Sequence, residues 1–171
     1  MELTPKFPFI SFSRAMLLTP EIHDLVYAKT QNAERRSRCE ALRANLEAFA
    51  VGDVVSVCQT PFKARTAYMG RLNPTSEGIF DIRSRDPSPA IRVIGAFPMR
   101  DVFVAITWAP RSKQFNWSNK KPLGRRQSNE WRSIIRHTKS TWQTLFPNTN
   151  KISGDNLNDI ISQNAIAIEH I

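Results

Sequence analysis

Three strand-like runs joined by short turns, between residues 79 and 109, constrain the fold more than any other feature of the sequence. The runs 79–84, 91–97 and 102–109 are rich in β-branched and aromatic residues, which favour strands. Short polar or proline-containing turns separate them. Links this short join antiparallel neighbours, because a parallel return needs a crossover of about a dozen residues or more. The sequence therefore predicts an antiparallel β-meander.

Two helices are predicted before the meander and one after it. Thr19 and Pro20 are typical of a helix start, with a hydroxyl at the cap and proline where its missing N–H costs nothing. Residues 33–50 carry an apolar stripe at three- and four-residue spacing. Ser128 begins a further helix that Pro147 ends. The predicted fold class is α+β: an antiparallel β-meander sheet packed against two N-terminal helices, with an additional C-terminal helix.

The length of 171 residues and the hydrophobic content of 41% suit one domain with its own core. We expect that core over about residues 19–111, with an N-terminal extension and a C-terminal helical extension over 128–171. Residues 7–12 alternate weakly and are interpreted as an edge strand. Residues 60–77 show no periodicity and are predicted to form a loop. The segment from Ser153 onward is the least basic part of the chain. It is predicted to begin as a short amphipathic helix, and Ile166 and Ile168 either continue that helix or form a small strand.

The charge balance is strongly basic, with 24 Lys and Arg against 15 Asp and Glu and a formal net charge of +9. Such a surface attracts nucleic acid or anionic lipid. No apolar run approaches the roughly 20 residues that span a bilayer, so we expect a cytoplasmic protein with no membrane partner. Cys39 and Cys58 form neither a disulfide framework nor a metal-ligand motif. No three histidines, cysteines or carboxylates in the sequence occur at metal-ligand spacing. No metal and no cofactor are predicted.

Arginines on the predicted strands share one face of the sheet. Side chains two residues apart point the same way, so Arg83 shares a face with Asp81, and Arg92 lies opposite its apolar neighbours. If the apolar residues face the helices, Arg83 and Arg92 emerge on the open face, with Arg111 at the end of the third strand. Guanidinium groups match phosphate oxygens in pairs and stabilise the charge that develops when a 2′-hydroxyl attacks a phosphate. The alternative is that these arginines only solvate the sheet.

A basic segment with interleaved aromatic residues, 112–127, is predicted to be an exposed loop that stacks bases and follows a phosphate backbone. Alternatively, its aromatic rings pack onto the core. His137, with a reference pKa of about 6.5, suits general acid or base chemistry, although a solvated side chain is the simpler interpretation. The candidate catalytic residues are Arg83, Arg92, Arg111 and His137. The candidate RNA-binding residues are Arg85, Lys113, Phe115, Trp117, Lys120, Lys121, Arg125 and Arg126.

The meander carries a resemblance to a known family. Its runs are Arg71-Leu72-Asn73-Pro74, Gly78-Ile79-Phe80-Asp81-Ile82-Arg83, Ile91-Arg92-Val93-Ile94-Gly95-Ala96-Phe97, Asp101-Val102-Phe103-Val104-Ala105-Ile106-Thr107 and Arg111. Together with the two preceding helices, they resemble the RelE/ParE toxin superfamily. The resemblance is clear over about forty residues. By this resemblance Asp81 takes the place of the family's acidic residue, and Arg83, Arg92 and Arg111 take the places of its basic ones.

The resemblance implies the toxin of a bacterial toxin–antitoxin pair, a metal-independent endoribonuclease that cleaves mRNA and is held inactive by a cognate antitoxin. Its target would be RNA, either free or as mRNA bound to the ribosome. The family often places an aromatic or histidine residue near the carboxyl end, and no tyrosine follows Arg111 here. Two alternatives therefore stay open: a non-catalytic nucleic-acid-binding module, and a gyrase inhibitor of the ParE type.

Overall fold

A computed structural model describes residues 13–27, 29–61, 66–111, 125–148 and 156–168. The elements in chain order are β1 (Ala15–Leu18), α1 (Pro20–Tyr27), α2 (Ala33–Ala50), β2 (Val55–Cys58), β3 (Met69–Arg71), a 3₁₀ turn (Thr75–Glu77), β4 (Phe80–Ser84), β5 (Ala90–Met99), β6 (Val102–Arg111), α3 (Arg125–Leu145), α4 (Leu157–Ile160) and β7 (Ala165–Ala167). The two predicted N-terminal helices are observed as α1 and α2, and the three predicted strands as β4, β5 and β6.

The strands form one seven-stranded sheet in the order β1-β6-β5-β4-β3-β2-β7. The pairs β3–β4, β4–β5 and β5–β6 are antiparallel, whereas β1–β6, β2–β3 and β2–β7 are parallel. The predicted fold class, a simple antiparallel meander against two helices, is therefore wrong. The meander forms only the centre of a larger mixed sheet, because strands from distant parts of the chain pair beyond both of its edges.

The first face of the sheet packs against α1 and α2. The stripe predicted on α2 is buried as Leu42, Leu46 and Phe49, and the Asn32 side chain caps the helix by accepting from the Arg35 backbone N–H at 2.8 Å. The Phe49 ring lies 6.3 Å and 6.1 Å from the rings of two strand phenylalanines, at positions 97 and 103. This aromatic contact ties α2 to the centre of the sheet.

The second face of the central strands packs against α3. Phe80 and Ile82 belong to the first core, whereas Ile79 lies in a separate cluster with Trp131 and Ile135 of α3. Trp142, farther along α3, is fully buried against β5 and β6 residues. The expectation of an open face is wrong for this part of the sheet, because α3 covers it.

A bulge in β6 turns its second half relative to its first. Ile94 pairs with Thr107 while Gly95 pairs with Ala105, so β6 has one extra residue at this point. A Cβ atom at Gly95 would lie 2.0 Å from the backbone oxygen of residue 104, so only glycine permits this approach. The extra residue, Ile106, receives a hydrogen bond on its carbonyl from the Thr19 hydroxyl at 2.7 Å. The residue before α1 thus contacts the backbone of the bulge, while the Ile106 side chain packs in a cluster with Trp142 of α3.

The regions around the central meander differ from the predictions. The expected loop 60–77 contains β3 and the 3₁₀ turn, and the helix predicted from Ser128 begins at Arg125. Of the two alternatives for the end of the chain, the small strand is observed, because β7 pairs with β2 and completes the sheet edge. The strands β1, β2 and β3 escaped prediction because three or four residues carry too little periodicity. The strand proposed over 7–12 lies outside the described residues.

Candidate nucleic-acid interface

Two of the three arginines of the predicted cluster, Arg83 and Arg92, lie side by side, and they enclose a carboxylate. Arg83 and Arg92 are direct partners across β4 and β5. The Nε atom of Arg83 donates to both oxygens of Asp81, at 3.0 Å and 3.2 Å, and Nη1 of Arg92 donates to Asp81 Oδ2 at 2.7 Å. Asp81 is fully buried and Arg92 is 5% exposed. We call these three residues the Asp81 cluster.

Glycine at position 70 makes room for the Asp81 cluster. Gly70 pairs with Asp81 on the neighbouring strand, and a Cβ atom there would lie 2.0 Å from Arg83 Nη2 and 3.1 Å from Asp81 Oδ1. The Arg83 side chain therefore lies across β3, in the space that a larger residue would fill. Its charge is directed along the sheet toward Asp81. This geometry stabilises the sheet and leaves Arg83 and Arg92 poorly placed to grip a phosphate from solvent.

The remaining predicted arginines are more dispersed. Arg111 pairs with Ala90, two residues along β6 from the partner of Arg92; only its backbone is described. Arg85 donates from Nη2 to the Ala67 carbonyl at 2.8 Å. Arg83 and Arg85 also line a cavity of about 320 Å³ with Tyr68. The Tyr68 hydroxyl donates to the Asn45 carbonyl, and burial raises the pKa of Tyr68 well above its usual value.

The predicted loop contacts can be placed only in part. Lys113, Phe115, Trp117, Lys120 and Lys121 lie outside the described residues. Arg125 and Arg126 belong to the first turn of α3, where only the backbone is described.

His137 joins α3 to α1. Its Nε2 lies 3.7 Å from Oε2 of Glu21, and Oε1 of Glu21 accepts a hydrogen bond from the Thr107 hydroxyl at 2.8 Å. Thr107 is buried at the β6 bulge, whereas the His137 side chain is about half exposed, at 54%. The Glu21 side chain is itself 43% exposed, so the pair presents an imidazole and a carboxylate together at the surface.

A groove beside α3 has basic side chains on its wall. It has a volume of about 600 Å³ and runs between α3 and the β3–β4 connection. Its wall includes Arg132 and Arg136, one helical turn apart and both exposed. We call it the α3 groove; its lining residues are Asn73, Pro74, Glu77, Trp131, Arg132, Ile135, Arg136, Lys139, Ser140 and Gln143.

Two contacts hold the α3 groove in shape. The indole Nε1 of Trp131 donates to the Asn73 carbonyl at 3.0 Å, and Nζ of Lys139 lies 2.6 Å from Oε2 of Glu77. Sequence reasoning did not select this site. The spacing of positions 132, 136 and 139, which places three cations on one helix face, was the available signal.

No group of histidine, cysteine and acidic residues that could hold a metal ion occurs in the described part of the chain. Among the helices of that part, none combines the length and the apolar character needed to cross a membrane. No protein-family model matches the chain, and comparisons with curated proteins and with solved structures find no significant match.

Proposed function

We propose that the protein binds RNA through the α3 groove, together with the basic residues that precede α3 in the sequence. The observation that carries this proposal is the pair Arg132 and Arg136, exposed side by side on the groove wall. Guanidinium groups one helical turn apart suit successive phosphates of a flexible strand.

The neighbouring sequence and the groove chemistry support the same target. The sequence before α3, residues 112–124, combines basic residues with Phe115 and Trp117, a mixture that binds single-stranded nucleic acid by stacking and charge. Asn73 and Gln143 add amide groups at the groove wall, which form hydrogen bonds with bases or sugars.

The binding test compares two double variants with the same change in charge. Arg132→Ala with Arg136→Ala removes the exposed pair, whereas Arg35→Ala with Arg43→Ala removes two exposed arginines of α2. Fluorescence anisotropy with a labelled single-stranded RNA should show that the α3 variant binds about tenfold more weakly, with a salt dependence shallower by about two phosphate contacts. The α2 variant should bind nearly as the unchanged protein does.

Equal binding by both variants would contradict the proposal. A preference for duplex DNA in the same assay would favour a DNA-binding module instead. Inhibited supercoiling by gyrase, with no RNA binding, would favour the gyrase alternative.

RNA cleavage is the second candidate function, and the His137–Glu21 pair is the observation that favours it. Cleavage without a metal requires a base to take the proton of the 2′-hydroxyl as its oxygen attacks the phosphate and the bond to the 5′-oxygen breaks. It also requires an acid to protonate that leaving oxygen. An imidazole next to a carboxylate is suited to accept and return a proton. His137 also follows Arg136 directly on α3. A toxin held by an antitoxin would use this activity to stop growth.

His137→Gln provides the test of cleavage. Incubation of RNA with the protein in the presence of a chelator should yield products that end in a 2′,3′-cyclic phosphate, and the variant should bind RNA equally but cleave nothing. Expression of the unchanged protein, but not of the variant, should arrest growth. Intact RNA in every arm would leave binding as the function and refute cleavage. Arg92 is unsuitable for this purpose, because its loss would disturb the buried Asp81 cluster.

A further inference from the structure

A further cavity lies where the ends of β2 and β3 meet the C-terminal segment. It is separate from the α3 groove and from the cavity beside Tyr68. It has a volume of about 560 Å³, within the roughly 300–1,000 Å³ of small-molecule pockets. We call it the Arg71 pocket. The residues of its wall that matter here are Gln59, Arg71, Thr75, Ser76 and Asn156.

The guanidinium of Arg71 is fixed in the wall of this pocket. Arg71 is 9% exposed. Its Nε donates to the Thr75 carbonyl at 3.1 Å, and its Nη1 donates to Gln59 Oε1 at 3.4 Å. The guanidinium also stacks over the Phe80 ring, 5.7 Å from its centroid. Because an arginine side chain keeps its charge in proteins, the wall carries a permanent and oriented positive charge.

The Gln59 side chain adds an unused donor beside that charge. Its Oε1 faces Arg71, which fixes the orientation of the amide. Its Nε2 is buried and has no hydrogen-bond partner within the described residues. A buried N–H without an acceptor is costly, so an acceptor entering the pocket would be favoured. Of the described residues that line the pocket, none is acidic.

We propose that the Arg71 pocket binds a small organic anion, with its phosphate or carboxylate group at Arg71 and Gln59 Nε2. The hydroxyls of Thr75 and Ser76 and the amide of Asn156 then contact the polar body of the same molecule. Wall residues already held by hydrogen bonds need little rearrangement, which favours binding. This site is independent of the proposed RNA binding and does not depend on it.

Substitution of Gln59 by Glu tests the proposal directly. Gln59→Glu keeps the side-chain shape, gives Arg71 a carboxylate partner and removes the Nε2 donor, so the pocket is occupied by its own anion. Gln31→Glu, at an exposed position before α2 that lines neither the Arg71 pocket nor the α3 groove, is the control with the same charge change. Titration calorimetry would use inorganic phosphate, a nucleoside monophosphate and citrate at up to millimolar concentration, so that phosphate and carboxylate sources are distinguished.

The unchanged protein should bind one molecule of at least one organic probe, and Gln59→Glu should weaken that binding about tenfold or more. Gln31→Glu should bind the probe normally. Ser76→Asp, an exposed change on the same wall, should also weaken binding and serves if Gln59→Glu does not fold. Absence of binding by every probe, or equal binding by the unchanged protein and both pocket variants, would overturn the proposal.

Discussion

At the scale of single residues, Asp81 forms ion pairs with two arginines in the interior of the sheet. It is fully buried and accepts hydrogen bonds from both Arg83 and Arg92. Ion pairs of this kind contribute little net stability when complete, but removal of one partner leaves an unpaired charge. Asp81 is therefore more sensitive to substitution than an exposed carboxylate.

We expect Asp81→Asn to lower the free energy of unfolding by about 3–5 kcal/mol, because two guanidinium groups would stay buried without their counter-charge. Chemical denaturation measures this change. Asp24→Asn, on an exposed side chain of α1, makes the same chemical change and should alter stability little. Similar stability of the two variants would show that Asp81 is not the centre of the cluster.

The positions of these residues were only partly predictable. Alternation along β4 and β5 correctly grouped Asp81, Arg83 and Arg92 on one face, because the strand period is two. Exposure of that face was not predictable, since it depends on α3. This helix begins at Arg125, more than a dozen residues after the last strand of the meander. The burial that decides whether an arginine can reach RNA is thus a tertiary property.

At the scale of elements, α3 is positioned by contacts that also limit the charge of its groove. Lys139 forms an ion pair with Glu77 of the 3₁₀ turn, so one of the three cations on this wall is neutralised. Removal of the Glu77 charge leaves Lys139 free to contact a phosphate. The Trp131 hydrogen bond to the Asn73 carbonyl and the buried Trp142 side chain still hold the helix in place.

Glu77→Gln should therefore strengthen RNA binding, with a salt dependence steeper by about one phosphate contact. Anisotropy titrations at several salt concentrations measure both effects. Glu40→Gln, on the exposed surface of α2, matches the charge change and should leave the salt dependence nearly unaltered. The two variants would behave alike if only the overall charge mattered, which would argue against the α3 groove as the binding surface.

Length and local pattern decide which elements the sequence reveals. The 18 residues of α2 repeat their apolar stripe over several turns, and its bounds were predicted correctly. The strands β2 and β3, of four and three residues, repeat too little to be recognised. Their parallel pairing also joins positions that no short turn connects. The Arg71 pocket, at the ends of these two strands, was therefore not foreseeable.

At the scale of the whole molecule, the two ends of the described chain meet around Arg14. This side chain is 2% exposed and donates to the carbonyls of Phe49, Asp53, Gln163 and Asn164, at 3.2, 3.0, 2.7 and 3.2 Å. Burial lowers the pKa of Arg14 from its usual value. Through these four hydrogen bonds, one side chain links the start of β1, the end of α2 and the C-terminal segment.

Ending the chain after residue 155 should therefore destabilise the entire sheet. The deletion removes β7 from the side of β2, takes the buried side chains of Ile160 and Ile161 out of the core, and deprives Arg14 of two carbonyl acceptors. Each lost isoleucine alone corresponds to about 2–5 kcal/mol when truncated in a core. The two losses together rival the total stability of about 5–15 kcal/mol of an ordinary domain.

Thermal melting of the shortened chain should show no cooperative transition, and hydrogen exchange should be fast in β2 and β1. Ile166→Ala, at a side chain that is 57% exposed, should melt nearly as the unchanged protein does. A truncated chain that still melts cooperatively and protects β1 would show that the central strands and α1–α3 fold without the C-terminal segment.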